Sequence, residues 1–497
     1  MASISAKIDE VSSIWMTALC IVVGLICLQW LMKRANWWLY ESKLGDKQYA
    51  LPPGDMGWPL IGTMWTFLRD MKSSNPDSFI NNLVQRYGRT GLYKTFMFGQ
   101  PSVIATTPET LKRVLTDDDA FTSGWPKATV ELMGKKSFVS ISYEDHKRLR
   151  KLTTAPINGH DALCLYLEYI EEIAVNALEE LSKMGEVQLL TQLRKLTFRI
   201  IMRIFLSEVS EAVMDVLEKE YTALNYGIRA MAINIPGFTF HRSLKARKTL
   251  VAILKSVVND RRNKMRNNIA SKRKDMMDHL LDIKDEKGNK LDDEDIIDIL
   301  LMYLNAGHES SGHTMMWAVI LMQEHPEIFK KAKEEAELIV KRRPPTQKGL
   351  NLKEIREMKY LDQVIDETLR YVSFSLVVFR VAKKDVDING YLVPKGWKAL
   401  AWLRNVHMDS EIYLNPKEFN PSRWEGYTPK PCSFVPFGAG SRLCPGNDLA
   451  KLEIAITLHY FVLGYEVERI NPKSPLVHLP HPRPVDNCLA IVRKQNP

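Results

Sequence analysis

Hydrophobic residues are distributed unevenly along this 497-residue chain. Residues 14–31 form an uncharged run of 18, long enough for a short or tilted membrane span. Lys33 and Arg34 follow at once, then Trp37, Trp38 and Tyr40, a basic flank and an aromatic belt of the kind found at membrane surfaces. No small-residue cleavage site is evident, so the pattern predicts a retained signal anchor. A cleaved signal peptide and a buried core helix are the alternatives. The basic flank puts residues 1–13 on the lumenal side and the body in the cytosol. A basic linker over 32–54 ends in Leu51-Pro52-Pro53-Gly54, which reads as a stiff hinge between anchor and body.

Beyond the hinge the pattern is mixed at first and then helix-rich. Strand-like pieces fall near 92–98 and 101–106, and again around 386–392 and 398–403. Helical periodicity dominates from about 162 to 276 and from 292 to 340. Asp292, Asp293, Glu294 and Asp295 suit a helix N-terminus through its dipole, and Pro326 suits a stop. Residues 261–290 are strongly charged and predict a solvated helix and loop. The expectation is one mixed domain over 55–497, mainly α with small β-sheets, and no internal repeat is visible.

Charge and cysteine usage narrow the function. The net charge is +9, spread along the chain without the dense stripe and interleaved aromatics of a nucleic-acid reader. Anionic headgroups and an acidic protein donor remain as electrostatic partners, with Lys147, Arg148, Lys151 and the surroundings of Arg442 as docking candidates. The six cysteines, at Cys20, Cys27, Cys164, Cys432, Cys444 and Cys488, have neither finger-like nor framework spacing. A reducing compartment follows for the body.

The densest chemistry lies between Phe437 and Gly446, which fit Phe-x-x-Gly-x-Arg-x-Cys-x-Gly. Such a loop presents one thiolate, Cys444, to a haem iron, where an electron-rich axial ligand favours O–O cleavage. Gly438, Gly440 and Gly446 suit a close pass under a flat macrocycle. Arg442 can pair with a propionate. The competing reading is a buried structural cysteine in a Gly-rich turn. Glu367 and Arg370 are three apart on one helix face over 360–372 and can meet, and an aromatic–Arg element from Phe419 to Trp424 could lock against them. Ala306-Gly307-His308-Glu309-Ser310-Ser311 puts an acid and a hydroxyl in mid-helix. A zinc-protease signature fails there, because Gly312 holds the place of its second histidine. A dinucleotide loop fails because Leu443 stands where a third glycine would be.

In this order and spacing, these segments resemble the cytochrome P450 superfamily over nearly the whole chain. The resemblance implies a P450 fold behind a single anchor helix, with haem b held by the Cys444 thiolate. It implies haem contacts from Phe437 and Gly446, and propionate partners Arg442, Arg380 and Arg150. His146 stands where the family usually has tryptophan. It implies a structural triad of Glu367, Arg370 and Arg423. Glu309 and Ser310 match the residues that deliver protons to iron-bound dioxygen, with serine in place of the usual threonine. Serine keeps the hydrogen bonding but lacks the methyl that restricts the rotamer. The alternative is a Ser310 that only bonds back to its own helix.

Several runs resemble one plant family, the ent-kaurenoic acid oxidases. They include Asp55-Met56-Gly57-Trp58-Pro59, Thr116-Asp117-Asp118-Asp119-Ala120-Phe121 and Asn447-Asp448-Leu449-Ala450. That implies three successive oxidations of ent-kaurenoic acid to gibberellin A12, with O2 and electrons from NADPH–cytochrome P450 reductase. It also implies a single-pass protein of the endoplasmic reticulum membrane. Relatives of the family oxidise triterpenes of beta-amyrin or cucurbitane type. A hydroperoxide isomerase or lyase and a non-catalytic haem carrier are further alternatives. The pocket is expected from residues 301–309, 373–378 and the loop over 125–139, with Lys127, Lys135, Lys136 and Arg229 as candidate partners for a substrate carboxylate.

Overall fold

The computed structural model describes residues 2–73, 75–207, 209–228, 230–267, 275–479 and 481–495, with backbone alone over 2–14. It divides into two compact units, Met1–Ala105 with Val381–Leu400, and Thr106–Arg380 with Ala401–Pro497.

In the first unit a single helix runs through Ala2–Asn36. The apolar stretch Trp15–Leu44 is long enough to cross a membrane, and its most apolar window has no buried residue. An exposed apolar helical stretch of this length suits lipid better than water. The chain beyond it is braced rather than freely hinged. Asn36 Nδ2 donates to the Gly57 carbonyl at 2.7 Å, and Lys94 pairs with Glu41 at 2.8 Å. The Pro53 carbonyl accepts from Lys94 N–H at 3.0 Å. Lys94 belongs to the antiparallel hairpin of Leu92–Met97 and Gln100–Ala105, with Leu92 opposite Ala105. The second predicted strand region resolves into Val386–Ile388 paired with Tyr391–Val393, and Lys398–Trp402.

The second unit holds the helical core. Its axis is Asp293–Glu324, capped by Asp292, whose carboxylate accepts the Asp295 N–H at 2.7 Å, and stopped at His325 before Pro326. Its apolar residues are buried on every side, as befits a helix at the centre of a large core. Leu189–Leu206, Lys359–Val372 and Asn447–Gly464 pack against it. The periodic stretch 162–276 is in fact several helices, His160–Leu181, Leu189–Leu206, Glu211–Ile228 and Thr239–Arg266. Hydrophobic periodicity continues across such breaks because each helix restarts its apolar face toward the same core.

Two expectations need correction. The loop expected over 125–139 contains a helix, Lys127–Met133, with Ala128, Leu132 and Met133 buried. The charged region 261–290 is not simply solvated. Arg261 is 4 % exposed and is held by Asp278 at 2.7 Å and Asp275 at 3.0 Å. Met276, Met277, Leu280 and Leu281 pack beneath. The charges mislead because their partners lie within the same stretch and neutralise one another inside. Arg261→Met should therefore strand two buried carboxylates and lower stability by about 3–5 kcal/mol in urea denaturation. Adding Asp275→Asn and Asp278→Asn should recover most of that loss, and a single variant within ~0.5 kcal/mol of wild type would contradict the burial.

Candidate functional site

The loop from Val435 to Gly446 is held at both ends and beneath. Cys444 N–H donates to the Phe437 carbonyl at 2.9 Å, closing the loop on itself. Helix Tyr143–Asn158 holds the outer side, through Arg150 to the Leu443 carbonyl at 2.7 Å and Asn158 to the Pro445 carbonyl at 2.6 Å. Gly440 has φ +73°, and a Cβ there would lie 2.5 Å from the Leu115 carbonyl oxygen. Its bareness thus serves the approach of helix Pro108–Thr116 rather than a macrocycle. Around Gly438 and Gly446, by contrast, a Cβ would meet nothing within 4 Å. Burial pushes the Cys444 thiol up, while the Gly446 N–H and then Arg150 draw it down. Helix Asn447–Gly464 begins three residues on, and its N-terminus favours a thiolate.

Arg150, Arg380 and Arg442 converge on His146, whose pKa falls to about 4, first through burial and then through the three guanidinium groups. Burial and Arg442 press Arg380 down to about 10, with Asp118 acting against them. Arg442 donates to the Phe138 carbonyl at 3.2 Å, and its buried Nη2 has no hydrogen-bond partner. Among the described residues none of the three arginines forms an ion pair with a carboxylate. Arg380 is buried and Arg150 and Arg442 are half-buried, and Asp118 is the one carboxylate acting on Arg380 and Arg442, so the cluster carries excess positive charge that suits an anion. Two propionates beside a thiolate ligand match that demand. The site therefore fits haem by the chemistry of its donors.

Behind the loop, Glu367 and Arg370 are completely buried. The Glu367 carboxylate accepts from Arg370 Nη2 at 2.7 Å and Nε at 2.9 Å, Arg423 Nε at 2.9 Å, Trp424 Nε1 at 3.0 Å and Asn420 N–H at 3.0 Å. Arg370 also holds the carbonyls of His407 and Pro416, and Arg423 that of Leu414. His407 extends the connection. Val435 N–H donates to its Nε2 at 3.0 Å, which leaves the proton on Nδ1 to face Ser373 Oγ at 2.9 Å. Burial, then Arg370 and Arg404, hold His407 down to about 3, so the ring is neutral and its tautomer fixed. Ser373 itself is left-handed at φ +51°.

On the central helix, Ala306 and Ser310 are accessible between largely buried neighbours, one turn apart on one face. Ser310 Oγ donates to the Ala306 carbonyl at 3.2 Å, the back-bonded arrangement that sequence leaves open. Glu309 points elsewhere. Its Oε2 lies 2.7 Å from Arg194 Nη2, with His308 and His313 at 3.8 and 3.6 Å from the carboxylate. Arg194 belongs to helix Leu189–Leu206, and no local spacing announces it. Of the candidate substrate cations, Lys127 pairs with Glu131 at 3.6 Å and Lys136 with Asp295 at 3.4 Å. Lys135 is exposed, and Arg229 lies outside the described residues. Among the docking candidates, Arg148 pairs with Asp285 and Lys151 with Glu286, while Lys147 is exposed.

The cytochrome P450 family model matches residues 52–485. The chain is 64% identical over 477 residues to ent-kaurenoic acid oxidase 2 of Arabidopsis thaliana, covering 96% of this chain and 97% of that protein. It is 50% identical over 488 residues to beta-amyrin 11-oxidase of Glycyrrhiza uralensis, covering 98% and 99%. A solved structure of a retinoic acid-bound cyanobacterial protein, CYP120A1, superposes with a TM-score of 0.81 at 26% identity, covering 90% of this chain and all of that one.

Glu367→Gln should leave Arg370 and Arg423 without their counter-charge and cost about 3–5 kcal/mol, with a matching fall in the fraction of protein recovered folded. A loss below ~1 kcal/mol, the size expected of a surface pair, would contradict the hub.

Proposed function

Since the chain belongs to the cytochrome P450 family and is a P450 monooxygenase, we propose that it converts ent-kaurenoic acid to gibberellin A12 by three successive oxidations at one carbon. The observation that carries this is the 64% identity, over nearly all of both chains, to an Arabidopsis ent-kaurenoic acid oxidase. The 50% identity to a beta-amyrin oxidase supports a triterpene as the second reading. The body over 55–497 is the catalytic domain. Residues 14–31 anchor it in the endoplasmic reticulum membrane, with the body in the cytosol, where NADPH–cytochrome P450 reductase supplies electrons.

Haem b, when bound, supplies the iron at which dioxygen is activated for insertion into a C–H bond. The protein's part is to hold, orient and deliver protons. Cys444 would hold the haem iron through its sulfur, which the Gly446 N–H contacts. Phe437 and Gly446 would border the macrocycle, and Arg150, Arg380 and Arg442 would take the propionates. Glu367, Arg370 and Arg423 fix the chain beneath the loop. Ser310 is a half-buried hydroxyl one turn from exposed Ala306 on the central helix, and its bond to the Ala306 carbonyl sets its resting direction. Glu309, buried beside Arg194, relays protons once it leaves that guanidinium. Because this route passes through one carboxylate, Glu309→Ala should lower turnover by about 10²-fold or more with haem content unchanged. Turnover equal to wild type would remove Glu309 from the relay.

The substrate is tested with full-length protein in microsomes containing a plant reductase, fed separately with ent-kaurenoic acid and beta-amyrin. Gibberellin A12 from the first is the expected result. Oxidised beta-amyrin alone would keep the chemistry and overturn the substrate.

A further inference from the structure

Asp298 lies in the central helix, two turns or about 12 Å before accessible Ala306. It is 3 % exposed, and its two oxygens serve different parts of the chain. Oδ1 accepts from Arg247 Nη2 of helix Thr239–Arg266 at 2.6 Å. Oδ2 accepts the Lys136 N–H at 3.1 Å, just past helix Lys127–Met133. Arg247 Nε reaches the same segment, donating to the Leu132 carbonyl at 3.1 Å. Gly134 makes the junction possible. It has φ +99°, and a Cβ there would sit 2.1 Å from the Asp298 carboxylate.

The segment so held spans the candidate site. At its start Gly124 N–H donates to the Phe379 carbonyl at 3.2 Å, against the backbone of Arg380. At its end the Phe138 carbonyl accepts from Arg442 at 3.2 Å. The short helix Lys127–Met133 is therefore slung between two arginines of the anion-seeking cluster. Further polar ties of the segment are Thr129 Oγ1 to the Ile228 carbonyl at 2.9 Å and Lys136 Nζ to Asp295 at 3.4 Å.

We propose that Asp298 is a positioning residue: with Arg247 and Gly134 it latches helix Lys127–Met133 closed over the haem-facing side of the central helix, and so governs how fast a bound ligand escapes. A carboxylate suits this task because it can bind a guanidinium and a backbone N–H at once, joining three segments through one side chain. Opening the cover breaks both Asp298 bonds along with the weaker ties, and the buried carboxylate must then find water. This proposal rests on the placement of haem at Cys444 but not on the identity of the substrate.

The test uses the full-length holoenzyme and ketoconazole, an azole that binds haem iron whatever the natural substrate. Failure of the ent-kaurenoic acid reading would appear in product analysis with azole binding intact. Asp298→Asn should speed ketoconazole dissociation about tenfold or more, the scale of one charge-assisted hydrogen bond. The thiolate carbon monoxide spectrum should not change. Gly134→Ala, which pushes the carboxylate away without altering charge, should do the same. Arg247→Gln combined with Asp298→Asn should add little to either alone. Unchanged dissociation rates in both Asp298→Asn and Gly134→Ala would overturn the latch. Hydrogen exchange on the wild-type protein is independent of how the variants fold. Amides of 127–138 should exchange more slowly with ketoconazole bound, and equal exchange in the two states would also overturn it.

Discussion

One carboxylate organises the proximal half of the second unit. Glu367, wholly out of water, accepts five hydrogen bonds from Arg370, Arg423, Trp424 and Asn420. Each arginine then spends its remaining donors on backbone carbonyls from His407 to Glu418. The irregular chain there has little sheet or helix to satisfy its own polar groups, so the guanidinium groups do it instead. A buried charge pair of this kind is weak evidence for net stability, since apolar residues could fill the same space. Its value is geometric. It gives a long coil one conformation, and through His407 it passes that conformation on to Val435, where the cysteine loop starts.

The same electrostatic reasoning marks the site itself. Buried Arg370 and Arg261 have carboxylate partners at 3.0 Å or closer. Arg380 and Arg442 hydrogen-bond to carbonyls, with Asp118 acting on both without an ion pair, and Arg442 keeps one nitrogen unsatisfied. A protein interior that balances its cations carefully in one place and leaves them unbalanced in another is reserving the second place for an anion. Burial pushes the Cys444 thiol up, and Arg150, one member of this cluster, offsets part of that cost of ionisation. Fold, loop and charge converge on one ligand position.

Sequence makes much of this legible, and for local reasons. The spacing of Glu367 and Arg370 is a helix-face relation, so their meeting can be read without a structure. The cysteine loop is likewise a contiguous motif, and the anchor is a simple apolar run. What escapes sequence is every partner set by packing. Arg194 answers Glu309 from another helix, and Arg247 answers Asp298 from a third, with nothing nearby to pair them. The glycines illustrate the difference well. Gly440 sits in a recognisable motif, yet the contact that requires it is with Leu115, more than three hundred residues earlier. The charge run around Arg261 was misleading because composition cannot distinguish ions that face water from ions that face each other.

The central claim is that Cys444, near Arg150 in a cluster of three arginines that lack a carboxylate ion pair among the described residues, would ligate a haem iron. The carbon monoxide difference spectrum of the reduced full-length protein tests it most directly, with Cys444→Ser measured beside the wild type. The account predicts the signature of thiolate-ligated haem in the wild type and its absence in the variant. A wild type without that signature, or a variant that keeps it, would contradict the account.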